Sequence, residues 1–106
     1  MIVVLFRSRL TPEAGAEYVA TDQALLEKAG RAPGFVDVKS FTAADGERLT
    51  IVWWKDLETL RMWREDPEHR EAQAAGRSLW YRYYDIEVAE VVRESHFARE
   101  TSEHAG

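Results

Sequence analysis

The chain has 106 residues, which makes one domain with little room for anything besides it. Its 45% hydrophobic and 31% charged residues are the balance of a soluble globular chain, not a disordered one. A net charge of −5 leaves no basic excess for a phosphate backbone, so no nucleic-acid partner is expected, and the lack of cysteine excludes disulfides, thiolate nucleophiles and iron–sulfur clusters.

Met1 to Phe6 opens the chain as its longest fully apolar run, far short of the roughly 20 residues a membrane helix needs. No basic region precedes it, so neither a membrane span nor a secretory signal is expected and the cytoplasm is the default location. Ile2-Val3-Val4-Leu5-Phe6 fits a strand covered on both faces. Thr11-Pro12-Glu13 reads as a helix N-cap, an N1 proline and a first-turn acid. Ala14, Tyr18, Leu25 and Ala29 follow at helical spacing, with Gly30 as the stop. Phe35 to Phe41 is a second strand, and Ala44-Asp45-Gly46 is a hairpin signal leading to a third strand over Leu49 to Lys55. Asp56 caps a short helix with Leu57, Leu60 and Trp63 on one side, and Asp66-Pro67 starts another helical piece running to about Gly76. A long last strand is predicted over Trp80 to Val92. The domain is placed at 1–93, with 94–106 as a frayed C-terminal tail.

This order, βαββαβ, is the ferredoxin-like α+β arrangement: a four-stranded antiparallel sheet with its helices on one face. The other face is then uncovered, although the first and third strands are apolar on both sides. A second copy of the chain is the simplest cover, so a homodimer with two sheets face to face is expected.

Three of the four tryptophans fall within eleven residues, in Trp53-Trp54-Lys55-Asp56-Leu57-Glu58-Thr59-Leu60-Arg61-Met62-Trp63, and His69 follows six residues later. With Pro33-Gly34-Phe35 ahead and Gly76-Arg77-Ser78-Leu79-Trp80-Tyr81 behind, the chain resembles the antibiotic biosynthesis monooxygenase family over residues 1 to 93. The resemblance implies a dimeric α+β barrel with a ligand pocket between each sheet and its helices. Some members are cofactor-free oxygenases of polycyclic phenols or quinols, and others bind and degrade haem. At the positions where the haem-degrading branch carries Asn, Trp and His, this chain has Ser8, Trp63 and Gln73, so the axial iron ligand is replaced. At the positions where the polyketide-oxidising branch carries Asn, Trp, Tyr and Arg, it has Thr59, Trp63, His69 and Arg82. Only the Trp agrees in the first set, and the Trp and Arg in the second.

On chemistry alone His69 is the best titratable candidate, since an ordinary imidazole pKa of about 6.5 suits a base for a phenol proton near neutrality. Arg82 is the candidate to hold the resulting oxyanion. Helical spacing sets Gln73 on the stripe of His69. Two readings of His69 stand side by side: catalytic base, or solvated residue among Glu65, Asp66 and Glu68. Trp63 is a pocket wall or plain core. Trp53 and Trp54 point to opposite sheet faces, one toward the helices and one toward a partner. Tyr81, Tyr83 and Tyr84 are expected to pack at the sheet and the interface, and the three histidines show no metal-ligand spacing. The expected function is a cofactor-independent monooxygenase acting on an aromatic phenol or quinol, with catalytic His69, Trp63 and Arg82 and substrate contacts from Ser8, Thr59, Gln73 and Trp54. A non-catalytic dimeric module for a small hydrophobic ligand is the alternative, and haem binding comes third.

Overall fold

A computed structural model describes residues 1–99; the remainder of the expected tail, with His104, lies outside the described residues. The order is β1 (Ile2–Leu10), α1 (Ala16–Gly30), β2 (Phe35–Thr42), β3 (Arg48–Trp54), α2 (Leu57–Arg64), α3 (Pro67–Ala75), a π-helical turn (Gly76–Trp80) and β4 (Tyr81–Glu90). The four strands form one antiparallel sheet in the order β2-β3-β1-β4, the expected ferredoxin-like topology. The two most apolar strands are therefore central, which explains why both read as apolar runs. Residues 91–99 follow β4 without regular structure.

In β1 and β3, Ile2 pairs with Trp54, Val4 with Val52 and Ser8 with Arg48; these alternate residues face the helices. The other face presents Val3 beside Trp53 and Leu5 beside Ile51. Among the described residues no element covers that second face. The buried core lies under the helices, where Ile2, Trp54 and Leu60 pack with Phe35, Val52 and Trp63. Trp54, 1% exposed, is its centre.

Both edge strands carry a bulge, and each moves a side chain the sequence pattern would put elsewhere. In β2, Phe35 pairs with Trp54 and Asp37 with Trp53, leaving Val36 as the extra residue. In β4, Tyr81 pairs with Leu10 and Tyr83 with Arg9, so Arg82 is the extra residue. The β4 bulge brings Tyr81 and Tyr84, three positions apart, to the helix-covered face. Strict alternation would separate them.

The helix ends follow local chemistry, with one correction. Asp56 caps α2, accepting from the Thr59 backbone N–H at 2.9 Å, and Asp66 caps α3, accepting from the His69 N–H at 3.1 Å, with Pro67 opening the helix. Lys28 near the end of α1 pairs with Asp66 at 2.9 Å and also with Glu68, tying α1 to the start of α3. The expected start of α1 at Thr11-Pro12 does not occur. That helix begins at Ala16 without a side-chain cap, because the Thr11 hydroxyl donates instead to the Leu79 carbonyl at 2.8 Å and the Thr11 N–H to that of Trp80. At its other end α1 stops at Gly30, as expected. The left-handed backbone falls at Gly34, with φ +82°, where an added Cβ would overlap the Thr59 side chain.

Candidate functional site

Between the sheet and the three helices lies a cavity of about 810 Å³. That volume falls within the range of about 300–1,000 Å³ usual for small-molecule sites. Its floor is the alternating face of β1 and β3, and its ends differ in character. Trp54 and Arg48 share that face of β3 six residues apart, which sets the two ends about 20 Å from each other at about 3.4 Å per residue.

One end is aromatic. Trp63, near the end of α2, stacks on Trp54 with ring centroids 6.2 Å apart, and Phe35 meets Trp54 edge-on at 5.8 Å. His69, in the first turn of α3, lies against Trp63 at 5.0 Å. Its Nδ1 is buried with no hydrogen-bond partner. Burial pulls the imidazole pKa below its ordinary value, against the opposing charge of Asp66 and the Arg64 backbone. The ring is therefore neutral at neutral pH, and an unpaired buried ring nitrogen is a costly group that a ligand can satisfy. Gln73, one turn further along α3, also lines this part of the wall.

The other end is polar. Arg48 donates to the Tyr18 hydroxyl at 2.9 Å, and its guanidinium lies 5.8 Å from the Tyr18 ring centroid. Tyr18 is itself fixed between Trp80 and Tyr81, at 5.5 and 6.0 Å. Asp22, one turn after Tyr18 on α1, has its pKa raised by burial, with Arg48 acting the other way. Burial and the neighbouring Tyr18 push the Tyr81 phenol well above its ordinary pKa, so it stays protonated and keeps its donor. The Tyr81 ring closes on Gly76, where an added Cβ would stand 2.7 Å from it.

The residues singled out from sequence divide accordingly. Trp54, Trp63, His69, Gln73 and Ser8 all line the cavity, Ser8 on the floor opposite Arg48 at only 3% exposure. Arg82 does not: as the bulge residue of β4 it is exposed and outside the cavity wall. Thr59 also lies outside the wall, its hydroxyl donating to the Asp56 carboxylate at 2.9 Å. Tyr81 and Tyr84 line the cavity, the lesser of the two readings the sequence offers beside packing at the sheet and interface. Sequence reasoning missed Arg48, which reads as the end of a hairpin. Its signal was the alternation Arg48-Thr50-Val52-Trp54, which sets it on the face of the buried tryptophan.

An antiparallel βαββαβ sheet with its helices on one face defines a ferredoxin-like α+β fold, here with an amphipathic cavity under the helices. The chain belongs to the antibiotic biosynthesis monooxygenase family, whose model matches residues 1–75, from β1 to the end of α3. It is 34% identical over 100 residues to the uncharacterized protein YqjZ of Bacillus subtilis (strain 168), covering 94% of this chain and 87% of that protein. Its fold is shared with Rv0793 of Mycobacterium tuberculosis, at a TM-score of 0.77, 20% identity and coverage of 90% and 98% of the two chains. It is shared too with SnoaB of Streptomyces nogalater, described as a cofactor-independent oxygenase, at a TM-score of 0.72, 18% identity and coverage of 88% and 94%. No helix among the described residues is long and apolar enough to cross a membrane.

Proposed function

We propose that the chain is a small cofactor-independent monooxygenase that oxidises an aromatic phenol or quinol with dioxygen in this cavity. The observation that carries this reading is His69, a neutral imidazole against Trp63 in the wall of a chamber large enough for fused rings. Family membership supports the reaction type, and the description of SnoaB supports the lack of a cofactor.

In this scheme the phenol ring lies against Trp63 and His69 accepts its hydroxyl proton. The phenolate passes one electron to dioxygen, giving an aryloxyl radical and superoxide, which couple at the ring carbon para to the oxygen. The peroxide takes the proton back from the imidazolium. Loss of water, using the hydrogen of that carbon, leaves a quinone, so phenol and dioxygen become quinone and water with all electrons supplied by the substrate. Arg82, outside the cavity, has no part in this scheme. Haem is the third reading, because Gln73 offers a carboxamide at the position where the resemblance places the iron's histidine.

Oxygen uptake by metal-stripped protein on a panel of phenols and quinols tests the scheme. His69→Ala is expected to slow turnover by about 10²–10⁴-fold, the usual worth of a positioned base. An unchanged rate removes His69 from the chemistry. Binding of a phenol without any uptake favours the non-catalytic ligand module, and a Soret shift on titration with hemin favours haem.

The uncovered sheet face supports a homodimer as the working unit. The accessible surface is 7588 Å², against about 6,100 Å² for a compact chain of this mass. On the sheet face away from the helices, Val3, Leu5, Ile51 and Trp53 are each partly exposed. Trp53→Arg places a charge on that face and is expected to convert dimer to monomer in light scattering. A wild-type chain that is monomeric at every concentration refutes the assembly.

A further inference from the structure

Arg48 is placed with more care than a strand-end arginine needs. One N–H is spent on the Tyr18 hydroxyl, and the guanidinium plane is held by a tyrosine that is itself only 7% exposed and fixed on two sides by Trp80 and Tyr81. The rest of the fork has no carboxylate within ion-pair distance among the described residues; Asp22 is the acid of this end, and it makes no such pair. A half-buried cation in a chamber floored by Val4, Phe6 and Val52 carries a desolvation cost that an anionic ligand relieves. Arginine suits this task because its planar fork meets a carboxylate with two parallel hydrogen bonds.

We propose that Arg48 is the anion anchor of the cavity and that the ligand is a fused-ring aromatic carboxylate, its acid group on the Arg48 guanidinium and its rings extending toward Trp54 and Trp63. The assignment rests on the cavity being the ligand site, as the proposed function holds, and does not depend on turnover. The separation of the two ends suits a flat ligand of two or more fused rings. The arginines Arg61, Arg64 and Arg70 also border the cavity but are exposed, so water already satisfies them and they impose no comparable demand.

Quenching of tryptophan fluorescence by 2-naphthoate and by its neutral isostere 2-naphthamide tests the assignment. Wild-type protein is expected to bind the acid at least tenfold more tightly than the amide. Arg48→Gln is expected to bring that ratio close to one while leaving amide affinity unchanged, Arg48→Lys to keep part of it, and the rim control Arg64→Gln to leave it intact. A purely structural Arg48 weakens acid and amide together, and that result overturns the proposal. So does a ratio near one in wild-type protein, a ratio that survives Arg48→Gln, or the absence of saturable binding by either probe. Should Arg48→Gln fail to fold, the wild-type ratio and Arg48→Lys still decide. Absence of oxygen uptake refutes the monooxygenase scheme alone, whereas loss of acid preference refutes the anchor alone.

Discussion

Replacing Gly34 with alanine is expected to be among the more damaging single-methyl additions to this chain. The backbone there has φ +82°, and an L residue held in the left-handed region loses about 1–2 kcal/mol. The new methyl also overlaps the Thr59 side chain on α2, so the turn must move. Movement pulls on the Gly34 carbonyl, which accepts from the Lys55 N–H at 2.7 Å, and weakening that bond adds about 1 kcal/mol. The total is about 3 kcal/mol; with unfolding entropy of about 2.1 cal/mol/K per residue, Tm falls by about 13 °C. Gly30 supplies the control four residues away. It ends α1 without a positive φ, and no atom lies within 4 Å of an added Cβ. Gly30→Ala is expected to stabilise by about 0.4–1 kcal/mol through the unfolded chain, raising Tm by about 2–4 °C. Thermal melts by circular dichroism at one fixed protomer concentration compare the pair. A Gly34→Ala variant within about 2 °C of wild type, or a Gly30→Ala variant that falls as far, refutes the reasoning.

Two further effects follow from the aromatic end of the cavity. Trp54→Ala empties the centre of the core and is expected to cost about 3–5 kcal/mol, read as a shift in the urea midpoint; a loss under about 1 kcal/mol places Trp54 outside the core's energetics. His69 has a folded pKa below its unfolded one, so the unfolded chain takes up the proton first as pH drops through about 6.5. Stability from this group is therefore intact above that pH, declines as pH falls toward the folded value, and levels off below it. His69→Leu is expected to show a shallower acid-side decline in urea midpoints, and identical slopes in the two proteins contradict the burial of the ring.

The topology was legible because each element carried its own punctuation. Asp56 and Asp66-Pro67 mark helix starts, Ala44-Asp45-Gly46 marks the hairpin, and the apolar runs of β1 and β3 identify the central strands. The same punctuation brought Trp63 and His69 close along the chain, while His69 stayed open between a catalytic base and a solvated residue. What stayed hidden depends on partners distant in sequence. Thr11 looks like a cap until Leu79 and Trp80 engage it. Arg82 looks inward-facing by resemblance, but a bulge exists only relative to the strand it pairs with, and β1 sets that register. Alternation sets Arg48 on the face of Trp54, but its partner there, Tyr18, comes from α1 thirty residues away.

The two bulges also bear on how the protein avoids unwanted growth. β2 and β4 are the edges of the sheet, where unpaired backbone groups invite strands from other molecules to add on and extend into fibres. Val36 and Arg82 each interrupt the ladder and bend the edge that carries it. A newly made chain thus offers neighbours two poor templates at its rims. Removing Arg82 would straighten one rim, making it a better template for strand addition as it reshaped the cavity.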